Sequence, residues 1–262
     1  MVKVNREAKL LLGLVQYDPE WEDKERNRQK LSWLLENNFK ESDLVLFPEM
    51  TLTGFTMNAS KFAESVDGES SEYFSSLAEN YKTAVMAGII EKEKDNFYNT
   101  LLHIDKRGKL IAKYRKIHPF SYSTEDKYYK RGERPVSTNV DGWNVGLSIC
   151  YDLRFPELYR HYGKDRCELI VNIANWPVTR IEHWKALCRA RAIENQCYFA
   201  GVNRVGKDLK LEYNGFCCVI DPMGNEIVTA YDEEKIISVE ITKDIVTDTR
   251  KILPFLDDIF LV

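Results

Sequence analysis

Three apolar runs in this sequence end on a residue able to do chemistry. Leu44-Val-Leu-Phe-Pro48 leads into Glu49, Leu110-Ile-Ala-Lys-Tyr114 leads through Arg115 to Lys116, and Trp143-Asn-Val-Gly-Leu-Ser-Ile149 delivers Cys150. Short runs of this kind read as buried strands, and α/β folds gather ligands at the carboxyl ends of their strands. Cys150 closes its strand, and Pro156 with Glu157 suits the first turn of a helix beyond it. A helix dipole there would favour the thiolate, the nucleophilic form; the plain alternative is an inert core cysteine. Glu49 follows a stretch that solvates it poorly, which suits a general base, unless it turns out to water. Lys116 offers a fixed ammonium for the oxyanion of an attacked carbonyl, unless it is an ordinary exposed lysine. His118 provides a rival, a Cys150–His118 dyad of the thiol-protease type. Spacing alone does not choose between Lys116 and His118.

The elements that must hold these residues alternate. Strand-like runs occur at Leu10–Tyr17, Leu44–Pro48, Val85–Ile90, Trp143–Cys150, Leu169–Trp176 and Tyr198–Val205. Helical stretches fall at Glu22–Phe39 and Glu69–Lys82, and most clearly at Arg180–Gln196. In that last stretch Ile181, Trp184, Leu187 and Cys188 share one side. Such alternation predicts an α/β fold. Two hairpin-like pairs, one around Lys106-Arg-Gly-Lys109 and one around Asp221-Pro-Met-Gly-Asn225, make the sheets mixed rather than wholly parallel.

Bulk properties narrow the function further. The chain has 262 residues, 44% of them hydrophobic, and no linker-like stretch divides it, so a single domain spanning 1–262 is expected. A formal charge of -4 supplies no field for gripping nucleic acid or a membrane surface. The segment Met1 to Lys9 lacks the layout of a signal peptide, and no later run approaches a membrane span. A cytoplasmic protein with its six cysteines reduced is expected. Cys167, Cys188, Cys197, Cys217 and Cys218 read as packing. There is no Gly-x-Ser-x-Gly, phosphate loop or dinucleotide fingerprint. His103, His118, His161 and His183 lack metal-ligand spacing, so neither cofactor nor metal is expected.

Taken together, Phe47-Pro48-Glu49, Tyr114-Arg115-Lys116-Ile117-His118 and Cys150-Tyr-Asp-Leu-Arg-Phe-Pro-Glu157 resemble the three signatures of the carbon–nitrogen hydrolase family, the nitrilase superfamily, in the family's order. The resemblance runs from about Leu10 to about Glu240. It implies a four-layer α-β-β-α sandwich with mixed sheets, commonly paired into homodimers. It also implies Cys150 as nucleophile, Glu49 as general base, Lys116 as oxyanion-stabilising lysine, and Glu125 as a second glutamate that places substrate and water. The backbone N–H of Tyr151 would share the oxyanion, and His118 becomes a neighbour of the site.

Within the superfamily, Asn175-Trp176-Pro177, Arg180, His183-Trp184 and Arg189-Ala-Arg-Ala-Ile-Glu-Asn195 resemble the omega-amidase group, which hydrolyses the terminal amide of 2-oxoglutaramate and 2-oxosuccinamate. Such a small-molecule amide carries a carboxylate that a guanidinium holds well. Arg154 and Arg180 are the candidates, with Arg204 behind them; Arg154 could instead pair with Asp152 or Glu157. Phe55, Phe120 and Trp176 offer apolar walls. Pro119 departs from the family pattern beside Lys116 and puts the pocket shape there in question. The competing readings are a deaminated-glutathione amidase, an N-carbamoyl hydrolase, the Cys150–His118 protease and a non-catalytic interaction protein.

Overall fold

The computed structural model describes residues 8–260; the polar stretch before residue 8 lies outside them. In chain order the strands are β1 (Lys9–Gln16), β2 (Leu44–Leu46), β3 (Ala84–Glu93), β4 (Asn96–Ile104), β5 (Leu110–Arg115), β6 (Ser137–Val140), β7 (Trp143–Ile149), β8 (Leu169–Ala174), β9 (Tyr198–Asn203), β10 (Val205–Lys207), β11 (Glu212–Ile220), β12 (Glu226–Tyr231) and β13 (Lys235–Thr242). The helices are α1 (Lys24–Asn38), α2 (Ala59–Phe62), α3 (Glu69–Tyr81), α4 (Glu125–Tyr128), α5 (Pro156–Lys164), α6 (Ile181–Asn195) and α7 (Lys243–Ile252).

The strands build a six-stranded sheet, ordered β13-β1-β2-β3-β4-β5, and a seven-stranded sheet, ordered β10-β11-β9-β8-β7-β6 with β12 paired to β11. Each has a parallel centre, β1-β2-β3 in one and β7-β8-β9 in the other, with antiparallel strands outside. Both expected hairpins form. Asp105 closes the β4–β5 turn through its amide to the Lys109 carbonyl, and Asp221 accepts from the Met223 and Asn225 amides between β11 and β12.

Side-chain alternation along the first sheet separates its two faces. Leu10, Leu12, Leu14, Leu44, Leu46 and Met86 share a core with Trp143, Leu147 and Ile149 of the second sheet. Val15, Val45, Phe47 and Val85 pack instead against Leu31 and Leu35 of α1 and against Phe74 and Leu77 of α3. Tyr159 and Tyr162 of α5, with Trp184 and Cys188 of α6, extend the core on the other side. The two sheets therefore lie between helices, in the α-β-β-α order that the resemblance implies. Each aliphatic side chain buried in this way contributes about 1.5–3 kcal/mol.

This topology brings the chemistry to one end. Glu49 follows β2, Cys150 follows β7, and Asn175 follows β8, all parallel central strands. Strand β4 runs antiparallel to β3 and β5 antiparallel to β4. The start of β4, carrying Asn99, and the end of β5, leading to Lys116, consequently face the same way.

Candidate active site

Three segments of the site bend through left-handed backbone: Met50 (φ 45°) just after Glu49, Thr124 (φ 65°) just before Glu125, and Cys150 itself (φ 45°). Non-glycine residues held there cost about 1–3 kcal/mol each and persist only where the surroundings dictate them. At Cys150 the bend ends β7 and begins a 3-10 turn, Cys150–Arg154, so that the thiol leaves the sheet sideways. Glu49 has a different neighbour. A Cβ on Gly88 of β3 would lie 2.5 Å from the Met50 nitrogen and 2.9 Å from the Glu49 Cα, so this close approach requires glycine.

Glu49, Lys116 and Glu125 are buried, at 1%, 1% and 0% exposure, and they meet. Lys116 Nζ donates to Glu49 Oε1 at 2.8 Å and to Glu125 Oε2 at 2.9 Å. Asn99 Nδ2 donates to Oε1 of both carboxylates, at 2.7 Å to Glu49 and 2.9 Å to Glu125. The Phe120 amide donates to Glu125 Oε2 at 2.5 Å, and the Asn175 amide to Glu49 Oε2 at 2.9 Å. Burial works against a charged Lys116, but Glu125 and Glu49 more than offset it and hold its pKa above the usual lysine range. Burial pushes Glu125 up, Lys116 pulls it down, and repulsion from Glu49 leaves it raised.

Cys150 belongs to this cluster. Burial raises its thiol pKa well above the usual value, Glu49 and Glu125 raise it further, and Lys116 and the Asn175 amide oppose them. The expectation of a resting thiolate is thereby corrected. The helix α5 starts only at Pro156, beyond the 3-10 turn, and two carboxylates outweigh one ammonium. Cys150 therefore rests as a neutral thiol that needs a base.

His118 is committed elsewhere. Its ring Nδ1 lies 2.8 Å from Asp152 Oδ1, and it stacks on Phe155 with centroids 3.8 Å apart. Asp152 also accepts from the Tyr114 hydroxyl and from the amides of His118 and Ile149. The chief charges on Cys150 are those of Glu49, Lys116 and Glu125, not an imidazole.

A cavity of about 330 Å³ opens over the thiol, lined by Cys150, Tyr151, Arg154, Asn175, Trp176 and Arg180, with Phe55 and Phe120 among its apolar walls. Glu49, Lys116 and Glu125 lie behind this lining. Arg154 stands over the Trp176 ring at 4.7 Å and touches His183 Nδ1 at 3.3 Å; Arg180 stands over Phe120 at 5.5 Å. Among the described residues neither guanidinium has a carboxylate partner, so the pairing of Arg154 with Asp152 or Glu157 does not occur. Arg204 is buried away from the cavity on Asp18 and drops out as a candidate. Pro119 does not line the cavity, whereas Phe120 beside it does.

Sequence reasoning did not find Asn99, nor the role of the Asn175 amide, nor the outer rim formed by Trp21, Met57, the Asp208–Leu211 turn and Tyr213. Asn175 carried a signal in its motif. Asn99 carried none, since a neutral amide within a strand has no chemistry of its own until the fold sets carboxylates beside it. The other five cysteines are buried, and all six are free thiols. No group of three or more His, Cys, Asp or Glu among the described residues is arranged to hold a metal ion.

Known proteins resemble this chain over most of its length. The carbon–nitrogen hydrolase family model matches residues 11–251. A 2-oxoglutaramate amidase of Bacillus subtilis (strain 168) is 32% identical over 96% of this chain and 98% of its own length. An omega-amidase of Escherichia coli (strain K12) is 33% identical over 84% of this chain and 85% of its own. The crystal structure of a CN-hydrolase superfamily protein from Xanthomonas campestris, with an arsenic adduct in its active site, superposes with a TM-score of 0.92 at 33% identity, covering 97% of this chain and 99% of that one. Fold and extent of match agree, and the chain belongs to the carbon–nitrogen hydrolase family.

Proposed function

We propose that this protein is an omega-amidase: it hydrolyses the terminal amide of a small 2-oxo-acid amide, 2-oxoglutaramate or 2-oxosuccinamate, to the acid and ammonia. The observation that carries the reading is the buried Lys116 ammonium, held between Glu49 and Glu125 beside the Cys150 thiol. The names of the Bacillus and Escherichia relatives support the same substrate class. So do Arg154 and Arg180, two cations without a carboxylate partner among the described residues, because the substrate brings a carboxylate at its far end.

Glu49 takes the Cys150 proton as sulfur attacks the amide carbon. Lys116 has three N–H donors, two of them spent on Glu49 and Glu125. An N–H that at rest makes only the longer 3.2 Å contact to Glu125 Oε1 turns to the oxygen that becomes negative, with the Tyr151 backbone N–H as the second donor. The C–N bond then breaks, nitrogen takes the proton back from Glu49, and ammonia leaves a thioester on Cys150. Water gives a proton to Glu49 and its oxygen to the thioester, releasing the acid and restoring the thiol. Glu125 keeps Lys116 in place and helps position substrate and water. Trp176 and Phe120 flank the acyl chain.

The same reading places the enzyme in the cytoplasm as a homodimer, acting on a free small molecule without nucleic acid or membrane. No helix among the described residues is long and apolar enough to cross a membrane. Exposed Ile193 and Met223, on α6 and the adjoining β11–β12 turn, support a second copy packing there. Sedimentation would report the mass. Ammonia release from 2-oxoglutaramate, 2-oxosuccinamate and N-carbamoyl-β-alanine, with Cys150→Ala as control, tests the activity. Turnover of the carbamoyl compound alone would replace this substrate assignment with another branch of the family.

A further inference from the structure

Asn99 is nearly fully buried on β4 and spends both side-chain hydrogens on acidic residues, Oε1 of Glu49 and Oε1 of Glu125. Its backbone carbonyl accepts the Lys116 backbone amide at 2.9 Å, so one residue touches both carboxylates and fixes the backbone that carries the ammonium. Orienting the amide in this way leaves its own Oδ1 buried with no protein partner. A buried acceptor left unsatisfied is costly, and here it accompanies two donations to charged carboxylates, the stronger kind of hydrogen bond. Two carboxylates around one ammonium also carry an excess negative charge, which favours uptake of a proton by one of them.

We propose that Asn99 is a positioning residue of the hydrolytic reaction: its amide bridges Glu49 and Glu125, keeps both on Lys116, and keeps Glu49 unprotonated so that it can take the Cys150 proton. This rests on the reading of Glu49 as the base. The groups facing the amide are Glu49, Glu125 and Lys116, with Cys150 beyond Glu49, and Tyr129, whose hydroxyl donates to the Thr56 carbonyl, near Glu125. Tyr129 and Cys150 are neutral at rest, so the bridged carboxylates and Lys116 set the balance. A carboxylate that loses a donor in a buried site takes up a proton more readily.

The test is the pH profile of Asn99→Leu, similar in size but without donors. The acid limb of kcat/KM moves up by about one pH unit or more. Ammonia release falls by about tenfold at pH values well below the parent's own limb, recovers to within about threefold of the parent at pH 9, and KM changes little. A residue that only packs would lower the rate equally at all pH values, so a uniform loss with an unmoved limb overturns the proposal, as does an unchanged profile. If the leucine variant does not fold, Asn99→Ser keeps one donor, serves only one carboxylate, and must shift the limb in the same direction. Alkylation of Cys150 by iodoacetamide reads that limb without turnover. It decides the role of Asn99 even if no amide proves to be a substrate, an outcome that would count against the proposed function alone.

Discussion

Replacing Lys116 by methionine, set beside His118→Ala, separates the two arrangements that the sequence leaves open. In the proposed mechanism Lys116 contributes to the reaction twice. As the donor to the nascent oxyanion it is worth about 10²–10³ in kcat. It also holds Glu49 as a carboxylate: across 2.8 Å, at an effective dielectric of about 20, their attraction is about 6 kcal/mol before desolvation is subtracted. Without the ammonium, Glu49 and Glu125 share only Asn99, one of them takes up a proton, and the base is compromised. The combined loss in kcat is about 10³–10⁵, or roughly 4–7 kcal/mol of barrier. Breaking a buried pair also destabilises by about 3–5 kcal/mol, so the folded state of the variant is verified by near-ultraviolet circular dichroism at the assay temperature. His118→Ala removes one bond to Asp152 and the stack on Phe155, but Asp152 keeps the Tyr114 hydroxyl and the Ile149 and residue-118 amides. That variant should lose less than about tenfold, because Asp152 retains three donors and the chief charges on Cys150 are those of Glu49, Lys116 and Glu125. Ammonia release and trapping of the thioester as a hydroxamate are measured on both. Activity in Lys116→Met that matches or exceeds that of His118→Ala would refute the argument.

Arg154→Leu and Arg180→Leu should each raise KM for 2-oxoglutaramate about tenfold or more while leaving turnover of an uncharged short amide nearly unchanged; equal effects on both substrates would remove the carboxylate contact. Gly88→Ala drives a methyl group into the Glu49 backbone and should cut kcat about 10²-fold, with a fall in Tm from overpacking; an unchanged kcat would show that Glu49 tolerates displacement. Burial lowers the His103 pKa from the usual 6.5 to about 4, with Asp105 and Asp141 only partly opposing it. A depressed folded pKa means stability present above pH 6.5 and lost as pH falls toward 4, so His103→Gln should flatten the decline of Tm across that window. Burial alone would raise Glu91, but bonds from Arg115, Lys113 and Thr100 bring it down from the usual 4.5 to about 2. Its stabilisation is present above pH 4.5 and lost toward pH 2, so the Tm difference between the parent and Glu91→Gln should shrink over that range.

The parallel strands were legible because they are buried on both faces and read as unbroken apolar runs. Two of those runs carried Glu49 and Cys150 at their ends, whereas Lys116 follows the antiparallel, partly exposed β5. The half-exposed strand β13 was not legible. Its Lys235–Thr242 segment mixes apolar and polar residues, and its place beside β1 is decided by pairing across most of the chain. Arg204 shows the opposite error: a guanidinium plausible on sequence is sealed by Asp18, more than 180 positions earlier. The state of the Cys150 thiol was misread for a related reason. The local cue, a turn into a helix, was correct, but the sign of the field came from Glu49 and Glu125, residues that only the tertiary structure places there.

That neutral thiol has a consequence for the energetics of attack. Beside Glu49 and Glu125, both buried around one ammonium, a preformed thiolate would add further negative charge where the protein screens it weakly. In the proposed step the proton passes from Cys150 to Glu49 while negative charge appears on the substrate oxygen, so the net charge of the buried cluster does not change. Charge moves from one partner of Lys116 to a position beside the same ammonium, and the surrounding dipoles need little rearrangement.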